Sequence, residues 1–359
     1  MVFSIRRRSM KIVHLTWGLG VGGAETMLAD IANEQAAAHE IWVVVVNRDI
    51  DASIALGAAP SLRWLTLNRP PGSSNPWHLL KLILWLWSVN PDVVHVHQES
   101  FIRLRKSIRA PMVLTVHSTR SPLSDRLAAF DSVCCISEAV RDDVLSRFPG
   151  SRPRIVPNGI NFKAVKPKAR YGSIPFRIVQ VSRLAHEIKG QDLLIRALRL
   201  VLDRMGENSV SADFIGGGTS LQYLRQLAVE CGVDGRCHFF GAATRQFIYD
   251  ALRDYDLLAQ PSRYEGFGLT VIEGIAAGLP VLVSDIEGPM EIIEGGRLGW
   301  SFKCEDAEDL SSKIVELIAL SRESDFAVRM RTRAGLAHDR FDIKLTAQRY
   351  IDEYARCLA

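Results

Sequence analysis

Short runs of apolar, largely β-branched residues alternate with longer helix-patterned stretches along this whole chain, and that alternation leaves few architectures open. Strands are expected at Ile12 to Trp17, Ile41 to Asn47, Leu62 to Leu67, Val93 to His97, Met112 to His117, Val133 to Ser137 and Ile155 to Val156. They are continuous apolar runs, as strands covered on both faces should be, and so they point to parallel sheets built from βαβ units. A Lys- and Pro-containing stretch, Asn161 to Pro175, interrupts the pattern and reads as a linker. The alternation restarts with Phe176 to Val181, Ala212 to Ile215, Cys237 to Phe240, Asp256 to Gln260 and Pro280 to Ser284. Two doubly wound α/β domains in series are expected, and 359 residues suffice for two cores. Phe341 to Leu358 reads as a closing helix with Ile343, Ala347, Tyr350, Ile351 and Tyr354 on one side.

Charge separates the two halves. Residues 1 to 170 hold 22 Lys and Arg against 13 Asp and Glu, whereas the remainder holds 22 against 27. A basic first half fits an anionic partner such as a phosphorylated substrate or a membrane surface, and it lacks the dense basic runs of a nucleic-acid binder. The six cysteines, Cys134, Cys135, Cys231, Cys237, Cys304 and Cys357, show no metal-ligand spacing and read as reduced packing residues. Arg6, Arg7 and Arg8 precede a strand and a glycine loop, with no apolar signal segment between, so a cytoplasmic protein is expected.

In doubly wound sheets ligands bind beyond the carboxyl ends of the strands, so the loops there carry the chemistry. The first, Gly18-Leu19-Gly20-Val21-Gly22-Gly23, fits G-x-G-x-x-G and opens a helix, and Asp49 follows the next strand. Either a phosphate approaches this loop, as in dinucleotide binding, or the glycines simply make a tight turn. The second is Pro261 to Gly274. There Gly268 introduces a helix that Gly278 and Pro280 end, Glu265 precedes it and Glu273 lies in its first two turns. Open N–H groups at residues 268 to 270 favour phosphate, and the flanking carboxylates can accept hydrogen bonds from sugar hydroxyls. The third, Ser182 to Gly190, carries Arg183 and Lys189, which can grip a diphosphate from two sides and stabilise it as it leaves.

Read together and in chain order, Gly22-Gly23 with Glu25, His95-x-His97, Thr115-Val116-His117, Ser137-Glu138, Pro157-Asn158-Gly159, Arg183 with Lys189-Gly190, Gly216-Gly217-Gly218, and Glu265 with Glu273 in E-x₇-E spacing resemble the retaining GT-B glycosyltransferases of family GT4. The resemblance implies two Rossmann-like doubly wound domains facing across a cleft: an acceptor-side domain over 11–168 after a basic extension over 1–10, and a nucleotide-sugar domain over 173–338. It also implies that the helix of 339–359 returns to the first domain. Under it Arg183 and Lys189 bind the donor diphosphate, Glu273 the ribose and Glu265 the donor sugar, while His117 lies at the sugar face. Gly22, Gly23, Gly268, Leu269 and Thr270 complete the donor set, and His97, Arg103 and Arg105 stand on the acceptor side. The segments between His97 and Met112 and between His117 and Val133 depart from common members, so acceptor identity does not transfer.

The expected reaction moves a hexose-type sugar from a UDP- or GDP-sugar to an acceptor hydroxyl with retention, without metal or other cofactor. The acceptor expected is a glycan or lipid-linked glycan of cell-surface polysaccharide or lipopolysaccharide assembly. An NAD-dependent dehydrogenase would leave the Arg183, Lys189 and Glu265/Glu273 group without a task. A sugar-nucleotide epimerase of the same shape, or a silent nucleotide-sugar binder, would keep it. His95, His97 and His117 could suggest a metal, and Asp49-Ile50-Asp51 and Asp254-Tyr255-Asp256 match D-x-D, but no companion ligand motif supports either. Trp77 to Trp87 is apolar on nearly every side, which ordinarily means a buried helix. The alternative is contact with lipid, aided by the cations Arg103, Arg105, Lys106 and Arg109.

Overall fold

The computed structural model describes residues 9–20, 22–48, 50 and 57–359. Arg6 to Arg8, Val21, Asp49 and Asp51 therefore lie outside the described residues. The chain forms two compact units. One comprises residues 1–159 and 343–359, and the other residues 160–342.

In the first unit the strands are β1 (Lys11–Thr16), β2 (Glu40–Asn47), β3 (Arg63–Arg69), β4 (Val93–Val96), β5 (Met112–Val116), β6 (Ser132–Cys135) and β7 (Arg154–Ile155). All pair in parallel in the order β3-β2-β1-β4-β5-β6-β7. Strands β1, β4 and β5 are almost wholly buried, which explains their mainly apolar runs; His14, His95 and Thr115 are buried polar exceptions. The strand order reverses between β1 and β4, so the loops after those two strands flank the crevice where such sheets bind ligands.

In the second unit the strands are β8 (Phe176–Val181), β9 (Val210–Ile215), β10 (Cys237–Gly241), β11 (Leu257–Gln260), β12 (Val281–Ser284) and β13 (Trp300–Phe302). They too are parallel, in the order β10-β9-β8-β11-β12-β13, with the reversal between β8 and β11. Phe176, Ile178, Phe214, Leu257 and Leu282 pack with Leu194, Leu198 and Val201 of the helix Gln191–Met205 to form its core.

Four features differ from the sequence reading. Strand β13 was not anticipated, because a three-residue edge strand with Ser301 at its centre gives no run long enough to register. The second unit begins at Ile160, so the stretch Asn161 to Pro175 belongs to it: Lys168 N–H bonds to Ala277 O (2.8 Å) and Tyr171 OH to Gly278 O (2.7 Å). The closing helix starts at Ile343, because the extended backbone at Asp342 separates it from the helix Phe326–Phe341.

The fourth difference is the helix Trp77–Val89, which is not buried. Only Leu82 and Leu86 are inside. Trp85 packs edge-on against Trp42 (ring centroids 5.1 Å apart), but Trp77 (52%), Leu80 (42%), Leu84 (48%) and Trp87 (60%) are exposed. Their spacing of three and four residues makes a single outward stripe.

Candidate active site

The site in the second unit is built at its strand-order reversal, from the loops after β8 and β11. Gly190 lets the two loops meet. Its φ is +64°, and a Cβ there would stand 1.8 Å from Pro261 O, so any side chain would force the loops apart. Gln180 Nε2 donates to Lys189 O (2.7 Å). Gln191 Nε2 donates to Arg183 O and to Ser182 Oγ, both at 2.9 Å, pinning the other end of the loop. The turn after β11 is held by Arg263, whose guanidinium binds Asp192 bidentately (2.8 and 2.9 Å), Glu305 (2.8 Å) and His186 O (2.7 Å). Its hydrogen bonds to Asp192 push its pKa above the usual guanidinium value.

On this frame Lys189 Nζ meets Glu265 Oε2 at 2.7 Å, and Gln260 Nε2 donates to the same oxygen (3.2 Å). Arg183 is exposed, and its guanidinium has no partner among the described residues. Gly268, with φ +108°, caps the helix Leu269–Ala276, and a Cβ there would lie 3.3 Å from Val271 Cγ2 and 3.5 Å from Glu265 Cγ. The N–H groups of Gly268, Leu269 and Thr270 bond to nothing else among the described residues, while Thr270 Oγ1 donates to Gln260 Oε1 (3.3 Å). Glu273 is buried one turn further along the same helix. Two cations, open N–H groups at a helix start and two carboxylates therefore share one end of one sheet. That set can hold a doubly charged phosphate group and accept hydrogen bonds from hydroxyls beside it.

The first unit holds the other residues read from sequence. Gly22 caps the helix Gly23–Gln35, and the Glu25 carboxylate folds back over it, Oε2 only 2.4 Å from where a Cβ of Gly22 would stand. His97 and His117 hydrogen-bond to each other (Nδ1 to Nε2, 3.0 Å) just beyond β4 and β5. Burial pushes the His117 pKa down to about 4 and that of His97 well below the usual 6.5. His14 on β1 joins them, with Nδ1 3.4 Å from His97 Nε2 and Nε2 2.8 Å from Gln35 Oε1. Arg105 is tied to Asp131 (3.2 Å) and to Ile108 O (3.1 Å), which gives it a structural task on the helical turn Glu99–Ser107; Arg103 is exposed.

Sequence reasoning missed Gln180, Gln191, Gln260, Arg263 and His14. The first four support the loops through contacts between distant segments and carry no motif. His14 could have been found from register, since it pairs directly with His95 across β1 and β4. Of the two D-x-D matches, Asp256 is buried against Lys168 (3.2 Å) and accepts from Arg177 N–H (2.9 Å), at the end of β11 opposite the site.

Comparison with known proteins adds a name to this geometry. Residues 164–334 match the family model described as Glycosyl transferases group 1, and residues 21–163 the model described as Glycosyltransferase Family 4. An uncharacterized glycosyltransferase of Methanocaldococcus jannaschii is 27% identical over 329 residues, 79% of this chain and 83% of that protein. The GDP-mannose-dependent alpha-(1-6)-phosphatidylinositol monomannoside mannosyltransferase of Mycobacterium tuberculosis is 28% identical over 218 residues, 56% of this chain and 55% of its own length. The crystal structure of Anabaena HepE in complex with UDP-glucose superposes with a TM-score of 0.78 at 21% identity, covering 97% of this chain and all of that one (100%).

Proposed function

Since the chain belongs to the group 1 glycosyltransferases, and is thus a sugar-transferring enzyme, we propose that it moves a hexose-type sugar from a UDP- or GDP-sugar to an acceptor hydroxyl with retention of configuration. The observation that carries this reading is the cluster of Arg183, the Lys189–Glu265 pair and the open N–H groups at Gly268 to Thr270 at the strand-order reversal of the second unit. In it the diphosphate lies between Arg183, Lys189 and the helix start. Glu273 holds the ribose and Glu265 the transferred sugar.

As the sugar leaves, charge grows on the diphosphate, and Arg183 and Lys189 stabilise that charge where it develops, an effect worth a few kcal/mol per donor. A phosphate oxygen of the donor takes the acceptor proton on the face that the diphosphate leaves, which gives retention without a covalent intermediate. No metal is needed for this role. The Anabaena neighbour was crystallised with UDP-glucose, and the mycobacterial relative is named for GDP-mannose, so both nucleotides enter the test.

The acceptor proposed is a glycan carried on a lipid, in cell-surface polysaccharide or lipopolysaccharide assembly. The stripe Trp77, Leu80, Leu84 and Trp87 supports it, because Lys81 lies on the same helix and Trp87 borders a hollow lined by Lys106 and Arg109. Exposed tryptophans with cations beside them suit the interface of an anionic membrane. Among the described residues no helix is long and apolar enough to cross a membrane, and the contact proposed is a peripheral one through the Trp77 stripe.

A thermal-unfolding screen of nucleotide sugars, followed by product analysis with and without acceptor, tests the reading. One nucleotide sugar should raise the melting temperature, and transfer should require acceptor and give a product with the donor's anomeric configuration. Isomerisation of the nucleotide sugar without acceptor would make it an epimerase instead.

A further inference from the structure

In the first unit the imidazoles of His14, His97 and His117 join end to end. Gln35 Oε1 lies 2.8 Å from His14 Nε2, His14 Nδ1 3.4 Å from His97 Nε2, and His97 Nδ1 3.0 Å from His117 Nε2. The far nitrogen, His117 Nδ1, is buried and has no hydrogen-bond partner among the described residues, as is true of Gln35 Nε2 at the opposite end. A buried polar atom without a partner is exceptional in a folded protein and calls for an explanation. His117 also stands immediately beyond the carboxyl end of β5, the side of the sheet where ligands bind.

We infer that Gln35, His14 and His97 are positioning residues, whose one-way chain of hydrogen bonds fixes His117 as its Nε2–H tautomer and leaves His117 Nδ1 a bare acceptor for a substrate hydroxyl. The direction follows from the donor inventory. A neutral imidazole offers one N–H and one acceptor nitrogen, and a carbonyl oxygen can only accept. Gln35 Oε1 therefore accepts a hydrogen bond from His14 Nε2–H. His14 Nδ1 must then accept from His97 Nε2–H, and His97 Nδ1 must accept from His117 Nε2–H. No proton remains for His117 Nδ1.

All three rings are neutral, because burial with little compensation holds each pKa far below 6.5 and adjacent buried cations would be prohibitively costly. The chain sets the tautomer from the core, much as a buried partner sets the tautomer of a catalytic histidine.

His14, His95 and His97 also bring ring nitrogens within 4.8 Å of one another, close enough for a metal ion. However, both nitrogens of His95 are engaged, Nδ1 with Tyr354 OH (2.6 Å) and Nε2 with Thr115 Oγ1 (2.7 Å), so a metal would have to break one of these bonds. The geometry favours the proton chain.

The tautomer assignment stands on the fold alone; that the hydroxyl belongs to a sugar or its acceptor rests on the glycosyl-transfer reading. Long-range ¹H–¹⁵N spectra of the full chain, ¹⁵N-labelled at histidine and without ligand, should show His117 at neutral pH with a pyridine-type Nδ1 and a pyrrole-type Nε2. A pyrrole-type Nδ1 or an imidazolium at His117 would overturn the chain. So would stoichiometric shifts of the His14, His95 and His97 signals on adding Zn²⁺ alone.

Gln35→Leu removes the terminal acceptor and should leave His117 in two tautomers, with kcat/KM lower by roughly tenfold or more. Gln35→Glu restores an acceptor and should recover both readouts. If Gln35→Leu keeps one tautomer and full activity, or if Gln35→Glu fails to restore either, Gln35 is not a positioning residue. Should Gln35→Leu not fold, the wild-type spectrum and Gln35→Glu still decide. A wild type that transfers no sugar while showing the expected tautomer would refute the functional reading and leave the chain intact.

Discussion

Lys189 Nζ and Glu265 Oε2 stand 2.7 Å apart although 76 residues separate them in sequence. In the proposed donor site an arriving diphosphate would meet an ammonium already shared with a carboxylate, and of the two cations only Arg183 has a charged group without a partner among the described residues. Lys189→Ala removes a cation and also leaves Glu265 as an uncompensated negative charge beside the anion.

Both Lys189→Ala and Arg183→Ala should lower kcat/KM by roughly 10²-fold or more with the fold intact, and Lys189→Ala should be the worse. Adding Glu265→Gln to Lys189→Ala should recover part of the loss, through removal of the repulsion. Steady-state kinetics of the three variants provide the check; near-normal turnover in Lys189→Ala would take it out of the clamp.

Activity should survive EDTA if, as proposed, Arg183, Lys189 and the N–H groups at Gly268 to Thr270 hold the diphosphate without a divalent ion. Asp256 of the described D-x-D match is occupied by Lys168 and the Arg177 N–H. Loss of turnover in EDTA with rescue by Mn²⁺ would reopen a metal-dependent reading.

Stability should fall on acidification. Burial lowers the pKa of His14 and His117 to about 4, and those of His95 and His97 well below 6.5, so the unfolded chain binds protons that the folded chain refuses. Stability is then fully present above pH 6.5 and is lost as the pH drops toward 4. The loss is on the order of 3 kcal/mol for a histidine displaced that far. Denaturant titrations across this range provide the measurement, and a flat profile would contradict the burial of the cluster.

Association with anionic vesicles should be strong at low salt and should weaken as salt shortens the Debye length. Replacing Arg103, Lys106 and Arg109 by Gln should remove the salt-dependent part. Trp77→Ala with Trp87→Ala should remove the part that persists at high salt, since both rings are exposed. Arg105 is left out because Asp131 and Ile108 O already hold it. Equal recovery in the supernatant with neutral and anionic vesicles would favour a soluble acceptor.

The sheets were legible because parallel strands such as β1, β4 and β12 are buried on both faces, and burial on both faces favours mainly apolar runs. At the buried positions of β1 and β4 these runs are interrupted only by the paired histidines His14 and His95 and by Thr16. The same logic favoured burial for Trp77 to Trp87, with lipid contact as the alternative, and the helix is largely exposed. Apolar residues all round a helix signal burial only if something covers each face, and the sequence carries no record of what covers Trp77 or Trp87. Lys189 and Glu265 could each be read from a loop after a strand, but their pairing arises from Gly190 seating against Pro261, a contact between segments that neither sequence announces. Gln180, Gln191 and Arg263 were invisible for the same reason: a loop strut is defined by what it touches, not by its neighbours in sequence.

The helix Ile343–Leu358 places Tyr354 OH on His95 (2.6 Å), Tyr350 OH on Thr115 (2.9 Å) and Glu353 on Ser132 (2.6 Å). Order of synthesis and order of folding are thereby set against each other. His95, Thr115 and Ser132 leave the ribosome long before the hydroxyls and carboxylate that satisfy them, and the whole second unit, residues 160–342, is translated in between. The unit made second can complete its sheet first, while the unit begun first keeps an unsealed polar interior until the helix Ile343–Leu358 arrives. A nascent chain cut short after the second unit would thus expose unsatisfied histidine and threonine in the first, a defect that proteases and chaperones can detect.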